Sequence, residues 1–191
     1  MRVAQRTASW CNTQPWQVFI ASGTAADRFR KVLLAGTKCE APNPDFPWPR
    51  EYSGVHLERR RACGFGLYDS LGIKKGDRES SAKQAEENFR LYGAPHVAIV
   101  TTHEELGVYG AIDCGAYVSN FMLAAHSLQV ASVAQAALAS RAGLIRRHFG
   151  MTASRRVVCG ISFGYADDSH AANSFRTARV DQRDVVEWFD E

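Results

Sequence analysis

Between Gly110 and Val130 the chain is apolar on nearly every face of a helix, with Ile112, Tyr117, Val118, Phe121, Met122 and Leu123 distributed around it. A surface helix would carry its apolar residues in one stripe, so this pattern predicts a central helix covered all round. Asp113, Asn120, His126 and Gln129 interrupt the run, which therefore lacks the ~20 consecutive apolar residues of a membrane span. Asp113 and Asn120 must instead find partners within the protein. A chain of 191 residues can bury such a helix in a real core without disulfides or a structural metal, and one domain over 1–191 is the expectation.

The flanking elements follow from local signals. Gln17 to Ser22 reads as a strand closed by Gly23. Thr24 is placed to cap a helix in which Phe29, Val32 and Leu33 return at helical spacing and which Gly36 stops. Residues 37–53 contain Pro42, Pro44, Pro47 and Pro49, which fix φ and remove backbone donors, so this stretch is an irregular excursion. It is either a candidate lid, with Phe46, Trp48 and Tyr52 as contact groups, or a packed surface loop. Ser53 opens a helix through Leu71 that Gly72 ends, and Asp77 opens another toward Tyr92 and Gly93. Val97 to Thr101, Val130 to Ala134 and Val157 to Phe163 read as strands. Ser140 starts a short helix to Phe149, and Asp181 caps a last helix that packs through Val185, Val186 and Trp188. Strands and helices alternate without repeats or a linker, which gives an α/β or α+β domain.

Composition removes several classes of function. With 46% hydrophobic and 23% charged residues the chain is ordinary globular material. A net charge of +3 is small, and Arg59, Arg60 and Arg61 follow Glu58 rather than forming a basic stripe, so no nucleic-acid partner is expected. The cysteines Cys11, Cys39, Cys63, Cys114 and Cys159 are odd in number, widely spaced and without a C-x-x-C pair, which suggests neither a disulfide scaffold nor a zinc site. Cys11 reads as a buried, inert thiol, and Asp167, Asp168 and His170 as a solvated turn rather than metal ligands. Met1 to Trp10 carries charges and no apolar run, so no secretory signal is read there. A reducing cytoplasm without a membrane partner fits these features.

The run Ala8-Ser9-Trp10-Cys11-Asn12-Thr13-Gln14-Pro15-Trp16 places hydroxyl and amide groups where a turn meets a strand, which suits hydrogen bonding to a polar ligand edge. It resembles the "PSxxNxQPW" segment of the FMN-dependent nitroreductase family. The likeness continues through Asn88, Gly93-Ala94-Pro95-His96, Tyr109-Gly110-Ala111, and Gly164-Tyr165-Ala166-Asp167 with Arg176 and Arg179 beyond. It implies an α+β fold with a mixed central sheet flanked by helices, in an intertwined homodimer holding FMN at the interface. It also implies hydride transfer from NAD(P)H to the flavin N5 and onward reduction of a nitroaromatic, quinone or similar planar acceptor. The flavin does that redox work, so no catalytic side chain is named.

The resemblance assigns roles to particular residues. Ser9, Asn12 and Gln14 match flavin contacts, and Asn88 resembles the asparagine at the pyrimidine side of the ring. Val133-Ala134-Gln135-Ala136-Ala137 resembles the segment passing N5, where Gln135, Ala136 and Ala137 bring small groups and backbone N–H close to developing charge. Ala134 stands where the family often has proline. Arg176 and Arg179 look like the basic pair that meets the FMN phosphate, since a guanidinium binds phosphate in a bidentate manner. One departure stands out. The family usually begins with an R-x-S-x-R helix on the same phosphate, whereas Met1 to Thr7 resembles the end of the next helix. The expectation is therefore either that the true start lies upstream of Met1 or that part of the cofactor site is lost, and the second case would make this a non-catalytic partner subunit with weak or no FMN binding.

Overall fold

Four strands form one sheet in the computed structural model, which describes residues 1 to 189. Numbered along the chain they are β1 (Gln17–Ser22), β2 (His96–His103), β3 (Ala131–Gln135) and β4 (Arg155–Gly164), arranged β1-β2-β4-β3. The α+β class stands, but where a mixed sheet is expected all three pairings among the described residues are antiparallel. The consecutive strands β1 and β2, and likewise β3 and β4, are antiparallel neighbours, while β2 and β3, which run the same way, are kept apart by β4 between them.

Strand β2 sits inside the sheet with Val97 to Thr102 buried, and its alternating side chains serve two cores. Val97 and Ile99 pack with Phe29 and Leu33 of α1 (Thr24–Cys39), Leu138 of α5 (Ala136–Ala139) and Ile145 of α6 (Ala142–Phe149). Ala98 and Val100 pack on the other face with Cys114, Tyr117 and Phe121 of α4 (Gly107–Ser127) and with Trp16. Each fully buried Phe or Leu contributes about 1.5–3 kcal/mol, which is why these faces fix the register. A bulge interrupts the ladder: Val100 faces Cys159 and Thr101 faces Val157, leaving Val158 as the extra residue.

Helix α1 begins at Thr24 itself with Gly23 as its cap residue, and it runs past Gly36. A Cβ on Gly36 would lie 2.3 Å from Leu144 Cδ1, so this glycine permits a close approach of α1 to α6 instead of stopping the helix. The helix ends at Cys39, where Glu40 turns extended ahead of Pro42. The Asp77 carboxylate accepts from the Ser80 N–H at 2.9 Å, as a helix opener should, but α3 covers only Arg78–Glu86. Leu91 and Tyr92 then take positive φ values of 57° and 51°, which an α-helix cannot accommodate. Ser140 closes α5 instead of opening a helix, and non-helical Arg141 separates it from α6.

Helix α4 departs most from expectation. Its buried residues Gly110, Cys114, Tyr117 and Phe121 form one stripe, while Ile112 and Leu123 are 58% and 65% exposed. The described chain alone therefore covers one face of it. Its polar residues do find protein partners: Asp113 accepts from the Trp10 N–H at 3.1 Å, and the Asn120 amide donates to Thr7 Oγ1 at 2.8 Å.

These elements, apart from the start of α3, belong to one compact unit, Met1–Pro49 with Ala82–Ala166; a second comprises Arg50–Ser81 and the segment from Asp167 onward. In the second unit α2 (Gly54–Ser70) follows Ser53 as expected, and Phe175 packs against its Gly66, where a Cβ would lie 2.5 Å from the ring. Among the described residues no last helix forms near the C-terminus. Asp181 caps only the 3₁₀ turn Gln182–Asp184, and Val185 and Trp188 are exposed. So short a segment has no burial to offset helix nucleation.

Candidate functional site

The polar run after Thr7 is braced from within. Ser9 is extended, and its Oγ accepts from the Gln14 N–H at 2.9 Å. The Gln14 amide donates to Asn12 Oδ1 at 3.2 Å and accepts from Gln5 Nε2 at 3.4 Å. Cys11, Asn12 and Gln14 adopt φ values of 50°, 56° and 45°, three left-handed non-glycine residues within four positions. Such conformations cost about 1–3 kcal/mol each and cluster where function needs a particular backbone. Ser9 is half-buried, while Asn12 and Gln14 are exposed and keep polar groups available. Cys11 is also exposed, which corrects the expectation of a buried thiol: the left-handed turn carries it outward.

The far end of the run is anchored to the sheet. Trp16 stacks on Tyr117 with ring centroids 5.1 Å apart, and its indole N–H donates to Gln5 Oε1 at 3.2 Å. Arg155 donates to Pro15 O at 3.3 Å, to Thr101 O at 2.9 Å and to Thr101 Oγ1 at 2.8 Å. Burial lowers the Arg155 pKa from its usual range. Thr101 Oγ1 in turn donates to Gln17 O at 2.9 Å. Arg155 had no sequence signal of its own, since a basic residue at a strand start is commonplace.

Asn88 and Gln135, 47 residues apart in the chain, come together. Gln135 is 2% exposed, and its amide donates to Asn88 O at 2.8 Å with Asn88 Oδ1 at 3.4 Å. Its Oε1 accepts from the Ser162 hydroxyl. The first-turn N–H groups of α5, at Ala136 and Ala137, have no intrahelical acceptor, as at any helix start, and Gln135 makes no side-chain cap to them. Ala134 and Ala136 are exposed at the end of edge strand β3, so small groups line the approach to this backbone.

Arg176 and Arg179 lie in the second unit, exposed. Arg176 donates to the carbonyls of Asn173 and Phe175, and Arg179 to Thr177 Oγ1 at 2.7 Å and Ala178 O at 3.0 Å. Asp167 takes the Ser169 hydroxyl at 2.6 Å and the Ser169 N–H at 3.0 Å, which holds its carboxyl below the usual carboxylate range. Among the described residues no group of three His, Cys, Asp or Glu side chains is arranged to hold a metal ion, and no helix is long and apolar enough to cross a membrane.

The excursion after α1 is tethered at its start. Arg146 reaches Asp45 at 2.5 Å, Val157 N–H donates to the same carboxylate at 2.7 Å, and Asn43 N–H donates to Ser140 O at 2.8 Å. Trp48 and Tyr52 remain about half exposed.

Comparison with known proteins bears on this arrangement. Residues 1–165 match the model of the nitroreductase family. The chain is 38% identical to nitroreductase NfnB of Mycolicibacterium smegmatis over 93% of its own length and 76% of that protein. It is 30% identical to a 4-nitrobenzoate reductase of Nocardioides sp., covering all of this chain and 80% of the relative. Among solved structures, the FMN-dependent nitroreductase NfnB from Mycobacterium smegmatis in complex with NADPH superposes with a TM-score of 0.94 at 35% identity, over 99% of this chain and 85% of the other. An FMN- and NADPH-dependent NfnB from a Sphigopyxis strain gives the same TM-score at 26% identity, over 100% and 86%.

Proposed function

The chain belongs to the nitroreductase family, and from that premise we propose that it is an FMN-dependent oxidoreductase that passes electrons from NAD(P)H to a nitroaromatic, quinone or similar planar acceptor. FMN, when bound, supplies the redox chemistry by accepting hydride and releasing electrons, so the protein's task is to bind, orient and polarise. The residues present fit that group. Ser9, Asn12 and Gln14 offer a hydroxyl and two carboxamides on a braced turn, matching a ribityl chain and a polar ring edge. Asn88 would meet the pyrimidine side while Gln135 holds it in place. The small residues Ala136 and Ala137 would let backbone N–H groups approach the ring where negative charge develops on reduction. Arg176 and Arg179 are assigned to the phosphate on their chemistry, a planar fork that matches phosphate oxygens.

A homodimer accompanies this reading. Val108, Tyr109, Ile112 and Leu123 leave an exposed apolar face on α4, and a second copy would cover it. A reducing, cytoplasmic setting suits five cysteines that are all unpaired.

The observation that carries the reading is the strained, self-bracing turn from Ser9 to Gln14 with its polar groups turned outward. Purified protein should be yellow or become so with FMN, bleach on addition of NADPH, and recover colour when a nitroaromatic or quinone is supplied. A colourless dimer that added FMN leaves unchanged overturns the enzymatic reading and favours a non-catalytic subunit.

A further inference from the structure

We propose that Ser162 is a positioning residue for the two amides of the site, its hydroxyl locking the Gln135 carboxamide in the orientation that grips Asn88. The functional consequence rests on the FMN reading above; the orientation itself does not. Asn88 O is a backbone carbonyl and can only accept, so the Gln135 atom 2.8 Å from it must be the NH₂ group. That choice points Gln135 Oε1 at Ser162. Both residues are 2% exposed, so bulk water is not at hand, and the Ser162 hydroxyl is the donor. The polarity of the relay is thereby fixed from Ser162 through Gln135 to Asn88.

Asn88 inherits an orientation as well. Its Oδ1 lies 3.4 Å from the Gln135 NH₂, and its own Nδ2 donates to Ala85 O at 3.2 Å. One Nδ2 hydrogen is left to offer a ligand acceptor. Without the hydroxyl, buried Oε1 has no donor, and turning the amide would set oxygen against both Asn88 O and Asn88 Oδ1. Either outcome loosens Asn88. The signal in the sequence is faint but physical: Ser162 is the lone hydroxyl within the apolar strand run Val157 to Phe163.

The test combines a variant with a measurement on the unaltered protein. Ser162→Ala should raise the Kd for FMN about tenfold, read by flavin fluorescence, while Ser162→Thr, which keeps the hydroxyl, recovers most of the affinity. In cofactor-free wild-type protein, ¹⁵N NMR should show the Gln135 side-chain amide protons exchanging far more slowly than those of exposed glutamines, and Ser162→Ala should shift the Asn88 side-chain amide signals. Wild-type protein that binds FMN alongside a Ser162→Ala variant of equal affinity overturns the proposal and leaves the FMN reading intact. Free exchange at Gln135 in wild-type protein overturns it whether or not FMN binds. Failure of wild-type protein to bind FMN sinks the proposed function, and the amide exchange then decides the relay alone.

Discussion

Replacing Asp45 by alanine should destabilise the chain far more than its position in a proline-rich excursion suggests. The carboxylate is 4% exposed and takes Arg146 at 2.5 Å, Arg156 at 3.5 Å and the Val157 N–H at 2.7 Å. Asp45→Ala strands a guanidinium whose side chain is only 19% exposed and leaves a strand N–H without its acceptor. Breaking a buried pair from one side costs about 3–5 kcal/mol. For a chain of this size each kcal/mol moves Tm by roughly 2–4 °C, so the melting point should fall by about 6–20 °C. The neighbouring pair provides the control. Glu40 and Arg147 meet at 2.6 Å but are 39% and 62% exposed, so Glu40→Gln should cost less than about 1 kcal/mol. Asp45→Asn, which keeps an acceptor for Val157 but loses the charge, should fall between. Thermal melts and urea midpoints measure all three, and limited proteolysis should cut Asp45→Ala between Ala41 and Pro49 where the wild type resists. Equal midpoints for Asp45→Ala and Glu40→Gln would refute the reasoning, because the excursion would then not be held by its buried carboxylate.

Ser9→Ala removes the acceptor of the Gln14 N–H, and should cost about 1 kcal/mol of stability and raise the FMN Kd by about five- to tenfold in a fluorescence titration. A thiol reagent such as DTNB at pH 8 should label Cys11, Cys39 and Cys63 in the folded protein, while Cys114 and Cys159 react only after unfolding, because burial pushes their pKa values up to about 12 and about 11. Burial, aided by Arg28, lowers the His148 pKa, so the unfolded chain takes up a proton that the folded chain resists. Stability should therefore be flat above the unfolded histidine value of about 6.5 and fall as pH drops below it, and urea midpoints for His148→Gln should show a shallower loss toward pH 5.5.

What was legible in the sequence was whatever a local pattern fixes. Gln17 to Ser22 is a strand because its residues are β-branched and aromatic between turn formers, and the structure has it with those bounds. Asn88 and Gln135 were singled out separately from motif likeness, and the structure brings them into contact. Their third member, Ser162, is marked only faintly, as the one hydroxyl of an apolar strand run, because a serine there does not say what crosses above it. Gly36 is ambiguous in sequence for a related reason. Glycine marks both helix ends and close packing, and only the distance to Leu144 tells them apart. The last helix failed differently: Val185, Val186 and Trp188 have helical spacing, but an apolar stripe forms a helix only when something buries it.

The disagreement over α4 is of another kind, because the pattern and the structure describe different amounts of protein. Apolar residues on all sides of the run predicted full coverage, whereas one copy of the chain covers only the stripe through Gly110, Cys114, Tyr117 and Phe121. Exposed apolar residues standing singly are ordinary, but Val108, Tyr109 and Ile112 share one end of a single helix and Leu123 lies further along it. A helix with apolar residues on both faces, of which the described residues cover one, leaves the other to a partner. In the proposed homodimer that neighbour is the same chain. Ile112→Arg should then yield a monomer in light scattering, without lowering the melting point of the isolated subunit. A variant that stays dimeric would mean that the outer face of α4 is covered by something else.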